Sequence, residues 1–157
     1  MSSNRQRHTR GFSLLEVVIV VAIIAILAAI GIPRMSRGSK GANDAAVSGN
    51  LSVLRNAIDL FSAEHGGSFP VVGTIENQLI QYSDVSGATN ATKTATHIYG
   101  PYLRSVPPLT VGARKGSNGI AAADGNDVGW IYTEASGDIR ANTTTETDDA
   151  GVLYSTY

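Results

Sequence analysis

Residues 11–33 read GFSLLEVVIVVAIIAILAAIGIP, and this run restricts the chain more than any other part of it. From Phe12 to Ile32 every residue is apolar or small except Ser13 and Glu16. Wound as an α-helix at 1.5 Å per residue, such a stretch spans roughly 30 Å, about the thickness of a bilayer's hydrocarbon core. A helix that is apolar all round must be surrounded by lipid or by other helices. The single acid is then the anomaly. A carboxylate at that depth costs roughly 2.5–3.5 kcal/mol on insertion scales. An acid in a first helical turn gains only about 0.3–1 kcal/mol from the macrodipole. A partner of opposite charge is therefore expected for Glu16. Ala22, Ala25, Ala28, Ala29 and Gly31 are small, and Ala25-x-x-x-Ala29 is a spacing that lets helices approach closely in lipid.

Two plainer readings fit part of this pattern. A secretory signal peptide has a basic start, an apolar centre and a small-residue exit, here Ala29-Ile30-Gly31. It predicts a soluble exported domain from Ile32 onward, but leaves Glu16 and the length of the run without a reason. A simple single-pass anchor is the other. Its orientation is not decided by charge, because Arg5, Arg7 and Arg10 on one side are mirrored by Arg34, Arg37 and Lys40 on the other.

The same residues resemble the type IV pilin and pseudopilin family. The basic leader Met1–Gly11, the Gly11–Phe12 junction, Glu16 four residues past Phe12 and Pro33 twenty-one past it stand at that family's spacing. The resemblance implies that a prepilin peptidase cuts between Gly11 and Phe12 on the cytoplasmic side and methylates the new amino terminus of Phe12. It also implies that Glu16 guides assembly. Cutting there leaves a cationic amine about one helical turn from Glu16. The amine of one subunit pairs either with its own Glu16 or, in a staggered stack, with a neighbour's. Pairing in low dielectric is worth far more than in water, though part of the gain is offset by desolvation. A helix entering out of register would leave both charges unpaired.

Past the run, proline removes a backbone donor and clashes with the preceding turn, so Gly31 and Pro33 predict a kink or local melting. Gly38, Gly41 and Gly49 each cost up to about 1 kcal/mol relative to alanine, which makes 31–49 the softest part of a long helix. Apolar periodicity then returns. Val47, Leu51, Leu54, Ile58 and Phe61 make one stripe at 4-3-4-3 spacing, with Arg55 and Asp59 placed to pair on the other side. Glu64-His65-Gly66-Gly67 supplies the stop, and Pro70 follows.

The remainder is rich in turns. The pattern predicts a short helix over 74–82, with Thr74 as cap and Ile75, Leu79 and Tyr82 inward. It predicts loops at 83–96 and 112–127. Between them, 98–109 reads as a rigid crossing with one strand. Val128–Thr133 alternates around Trp130 and Tyr132, turns at 134–137 and returns over 138–142, the best hairpin in the chain. An amphipathic helix ending near Gly-Gly-x-Phe-Pro, a Tyr-Leu-x-x-Val-Pro segment and a Trp-containing hairpin resemble the periplasmic domain of type II secretion pseudopilins. Glycine-major pilins of other bacteria share the pattern. The resemblance implies calcium in a carboxy-terminal loop, for which Asp124, Asn126 and Asp127, or Asp148 and Asp149, are the candidates. Asp124 to Val128 does not fit an EF-hand, since Val128 stands at a ligand place, and solvated loop acids are the alternative.

Chemistry of other kinds finds little support. No nucleophile elbow or phosphate loop is present. Three histidines, His8, His65 and His97, do not make a zinc site. With no cysteine, no disulfide holds the fold. Removing the leader takes three of twelve basic residues and leaves nine against thirteen acids, a net of −4, which suits no nucleic-acid partner. Asn90-Ala91-Thr92 and Asn142-Thr143-Thr144 match the glycosylation sequon.

These readings predict an α+β, pilin-like fold, a long helix packed on a small antiparallel sheet. The expected divisions are a leader at 1–11, a transmembrane and assembly helix at 12–33, a soft then amphipathic continuation at 34–66, and a head at 67–157. By resemblance the chain is a structural subunit and not an enzyme. The reading taken is a type II secretion pseudopilin acting in protein export; the alternatives are a type IV pilus subunit serving adhesion, motility or DNA uptake and, from another class, a soluble secreted binding module released from a signal peptide. The partners implied are copies of itself and other pilin-like subunits, the prepilin peptidase, an inner-membrane platform with its ATPase, and membrane lipid before assembly. The implied place is the bacterial inner membrane, single-pass, with the head in the periplasm, and then a filament. No cofactor is expected other than the calcium already considered.

Overall fold

A computed structural model describes residues 13–157, with the side chains of 30–39 outside the description. Contacts divide the chain into two units at Ser39/Lys40. The helix α1, Leu14–Glu64, contributes its residues 14–39 to the first and 40–64 to the second.

The second unit is built on the stripe. Val47, Leu51, Leu54, Ile58 and Phe61 are all at most 2% exposed. Full burial of a side chain of this size stabilises by roughly 1.5–3 kcal/mol. Gly66 ends α1 by taking φ = +66°, and the Gly67 N–H reaches back to the Ser62 carbonyl at 2.8 Å, satisfying one of the helix's orphan acceptors. A second helix, α2 (Ile75–Ile80), buries Ile75 and Leu79. It is shorter than the spacing predicts. Thr74 makes no side-chain cap, and Tyr82 leaves the helix for a strand.

Two sheets cover the stripe. In the first, β1 (Tyr82–Ser83) pairs antiparallel with β2 (Thr89–Asn90). The segment expected to be an exposed loop therefore carries a short ladder, and Ser83 and Gly87 are buried. In the second, the order is β3 (Gly119–Ala121), β4 (Val128–Thr133), β5 (Asp138–Ala141). β4 and β5 form the expected hairpin, with Trp130 opposite Ala141 and Thr133 opposite Asp138. β3, inside the expected loop 112–127, pairs parallel with β4. The sheet is thus mixed, not purely antiparallel. A parallel neighbour normally needs a long crossover. Here β3 is only three residues, about 10 Å, so the six-residue link 122–127 doubles back alongside it. The expected strand near 98–109 is absent; that segment contributes only a bridge, Tyr99 to Ser83.

Side chains close both edges of the mixed sheet. On β3 the Ile120 N–H donates to Glu76 Oε1 at 2.9 Å. On β5 the Ile139 carbonyl accepts from Arg55 Nη2 at 3.2 Å. Arg55 also donates to the Tyr157 carbonyl. It does not form the expected pair with Asp59, because the returning chain offers it two carbonyls. Charged groups on edge backbone discourage strand addition by other chains.

Candidate functional site: the exposed amino-terminal helix

Helix α1 begins with the Val17 N–H donating to the Ser13 carbonyl at 3.2 Å, which places Glu16 in its first turn. Glu16 is exposed. So is every large apolar side chain after it as far as Leu27, from 49% at Val20 to 63% at Leu27, and so are Leu14 and Leu15 before it. Among the described residues of this unit, nothing covers them. A run of exposed Val, Ile and Leu on all sides of a helix is not a water-facing surface; large apolar patches mark contact with lipid or protein. Ala22, Ala25, Ala28 and Ala29 lie among them and are also exposed.

Among the described residues, no helix is long and apolar enough to cross a membrane. The apolar stretch with described side chains is 13–29, and its seventeen residues make about 25 Å of helix against the roughly 30 Å of a hydrocarbon core. In the sequence, Ile30, Gly31 and Ile32 continue it. The helical backbone passes through Gly31 and Pro33. The cleavage and methylation residues Gly11 and Phe12 lie outside the described residues.

The second unit is held by polar clasps that the sequence does not announce. His65 is 7% exposed and stacks on Phe61 at a centroid distance of 3.8 Å. Its Nδ1 lies 2.7 Å from the Phe61 carbonyl, and its Nε2 lies 2.9 Å from the Asp84 carbonyl and 3.1 Å from Ser83 Oγ. The expected role at the helix end is thus joined by a tie to β1. Buried Gln78 accepts from the Val71 N–H at 2.8 Å and donates to the Gly87 carbonyl at 3.0 Å. On β4, Trp130 Nε1 donates to the Pro107 carbonyl at 2.8 Å and the Tyr132 hydroxyl to the Pro70 carbonyl at 3.0 Å. The two proline segments and the tryptophan hairpin, separate in sequence, are one hydrogen-bonded assembly.

Of the calcium candidates, Asp124, Asp148 and Asp149 carry bonds within the fold. Asp124 accepts from Arg114 Nε at 2.8 Å and Nη2 at 3.0 Å, and from Asn142 Nδ2 at 2.8 Å. The Arg114 bonds first, then Asn142, pull its carboxyl down to about 2. Asn126 and Asp127 are exposed, and Asp127 adopts φ = +58°, a left-handed conformation that aspartate tolerates better than most residues. Asp148 accepts from the Tyr157 hydroxyl at 2.6 Å and from the Ala150 and Val152 N–H groups at 2.8 Å each. Asp149 donates its backbone N–H to Asp44 Oδ2 at 3.1 Å, and its carboxylate lies 3.6 Å from Lys40. Among the described residues, no group of three or more His, Asp or Glu gathers to hold a metal.

The segment around Asp148 and Asp149 is fastened to α1. The Tyr154 hydroxyl donates to Asp44, and Lys40 Nζ donates to the Asp148 carbonyl at 3.2 Å. Burial, then the Asp44 bond, pushes Tyr154 above the usual phenol range; the bond to Asp148 pushes Tyr157 up to about 12. Beside the clasp lies a cavity of about 410 Å³ lined in part by Lys40, Lys115, Glu146 and Tyr154. Glu146 there accepts backbone N–H groups, its own first and then that of Thr145, which lower its carboxyl below the usual range. Its role is to hold the turn at 144–146.

A family model described as the prokaryotic N-terminal methylation motif matches residues 6–32. Those residues carry the type IV pilin and pseudopilin signature. The match covers the Gly11–Phe12 junction, Glu16 and the exposed apolar helix, and ends before the second unit. Neither a curated protein nor a solved structure matches the chain. The signature is that of structural subunits processed by a prepilin peptidase and assembled with other such subunits into filaments.

Proposed function

We propose that this chain is a fibre subunit that a prepilin peptidase cuts between Gly11 and Phe12. Its apolar helix then leaves the lipid to pack against the helices of like subunits. The observation that carries this reading is the exposed apolar surface of Val17–Leu27 directly behind one acid, within the methylation motif. Before assembly, lipid covers that surface; in the fibre, neighbouring helices do, and the small side chains at Ala22, Ala25 and Ala29 let them approach. Phe12 carries the methylated amine, which neutralises a Glu16. Gly31 and Pro33 make the helix soft just past its apolar run. An inner-membrane platform and its ATPase supply the work of extraction.

Within this reading we place the chain among the type II secretion pseudopilins. The support is the order of its head segments, Gly66-Gly67-Ser68-Phe69-Pro70, then Tyr102-Leu103-Arg104-Ser105-Val106-Pro107, then the Trp130 hairpin, which resembles theirs. The amino-terminal tryptic peptide tests the first claim. Mass spectrometry of the mature chain is expected to find Phe12–Arg34 carrying a methyl group. A chain starting at Ile32 would overturn it. Electron microscopy of sheared surface material tests the second: abundant fibres that vanish on deletion of this gene would make it a pilus subunit instead.

A further inference from the structure

The geometry points to Asn90 as a site of N-linked glycosylation, and to Asn142 as a sequon that stays bare. The two sequons are equivalent in sequence, Asn-Ala-Thr and Asn-Thr-Thr. Both asparagines are half-buried, but their carboxamides are engaged differently. Both side-chain protons of Asn142 are spent inside the fold, on Asp124 Oδ1 at 2.8 Å and on the Val128 carbonyl at 2.7 Å. Its backbone N–H bonds the Gly129 carbonyl at 2.9 Å. A sugar on that nitrogen would remove one bond and wedge β4 away from the Asp124 loop. At Asn90, on β2, the carboxamide oxygen accepts from the Thr92 N–H at 3.0 Å and from the Thr92 hydroxyl at 3.1 Å. Its Nδ2 has no partner among the described residues, and Ala91 and Thr92 are exposed.

This arrangement has a chemical consequence. Two donors on the carboxamide oxygen draw electron density from the amide and make the Nδ2 protons more acidic. The co-reactant is an oligosaccharide carried on a lipid phosphate or pyrophosphate, delivered by a transferase outside the inner membrane. Nδ2 forms a bond to the sugar's anomeric carbon, and the anomeric carbon–oxygen bond to phosphate breaks. The lipid phosphate leaves with the electron pair, and Nδ2 gives one proton to a base of the transferase. The site rests on the proposed export of the head, since that is where such carriers present their sugars.

One spectrum separates the two ideas. The chain is purified from membranes of its native host and digested with trypsin. Peptide Phe12–Arg34 reports processing, peptide Asn56–Lys93 reports Asn90, and peptide Ala141–Tyr157 reports Asn142. The expected result is a cleaved Phe12 peptide, a glycan mass on Asn56–Lys93 and a bare Ala141–Tyr157. The mass should vanish in Asn90→Gln and Thr92→Val and persist in Thr92→Ser. A cleaved Phe12 peptide with an unmodified Asn56–Lys93 overturns the glycan while leaving the pilin reading intact. So does a mass that survives Asn90→Gln, which would place the sugar on a threonine hydroxyl, or one found on Ala141–Tyr157. An uncleaved chain overturns both.

Discussion

Asp124 and Arg114 illustrate how this head uses its charges. The pair closes the loop 114–124 on its solvent side, while Ile120 anchors the same loop in the core. Because the folded carboxyl sits at about 2, below the ordinary 3.8, the folded state favours the ionised form. The sign follows directly: the contribution is complete above pH about 4 and is lost as pH falls toward 2. Carboxyl NMR should find Asp124 titrating near 2 in the parent chain. In Arg114→Gln, where the first cause is removed and Asn142 remains, it should titrate closer to 3.8. An unchanged value in the variant would show that the arginine does not hold the loop. His65 makes a contrasting case: it is buried, and its ring joins the end of α1 to β1 through three oxygens. The surrounding sequence, Glu-His-Gly-Gly, identifies a helix end, but a partner eighteen residues away leaves no trace in it.

At the scale of elements, the β4–β5 hairpin is the part on which the rest converges. Its turn ends at Gly137, with φ = +74°, and the N–H of that residue closes onto the Thr133 carbonyl at 2.9 Å. A Cβ there would stand 2.5 Å from the Phe69 ring. Gly137→Ala should therefore cost about 1–2 kcal/mol for the left-handed backbone alone, and more for displacing Phe69. Chemical denaturation of the detergent-solubilised chain measures it; a loss below about 0.5 kcal/mol, the scale of ordinary surface changes, would contradict the turn described. The hairpin's boundaries are legible from alternation around Trp130 and Tyr132. β3 and the β1–β2 ladder are not legible, since two- and three-residue strands are too short to show a period, and their pairing depends on what β4 and His65 place beside them. The length of α2 misleads for a similar reason: Tyr82 fits the helical stripe, yet the ladder with Asn90 holds it in β1.

For the molecule as a whole, the decisive term is the exposed apolar helix and the acid that leads it. Glu16→Ala should leave insertion and cleavage intact and impair entry into the fibre. A hydrogen bond to a charged group is worth about 1.5–3 kcal/mol, so the loss of subunit affinity should be on the order of tenfold to a hundredfold. Co-expression with the parent chain and counting of the variant in purified fibres measures it. Equal incorporation would show that the carboxylate has no part in docking. The clasp formed by Asp44, Asp148, Tyr154 and Tyr157 serves a different need. It ties the end of the chain back onto α1 without a disulfide, and so stabilises the head on which that helix depends for its own amphipathic half.

The amino-terminal motif, the apolar run, the stripe from Val47 to Phe61 and the tryptophan hairpin were determined by sequence alone, because each is a local pattern whose period or spacing is set by a helix, a strand or a processing enzyme. The tertiary structure decided which polar groups meet. It gave Asp124 to Arg114 and not to a gathered set of acids, turned Arg55 from Asp59 to the edge of β5, and spent one sequon asparagine while leaving the other open. Such choices rest on hydrogen bonds between residues tens of positions apart, and those exist only once burial has brought the segments together.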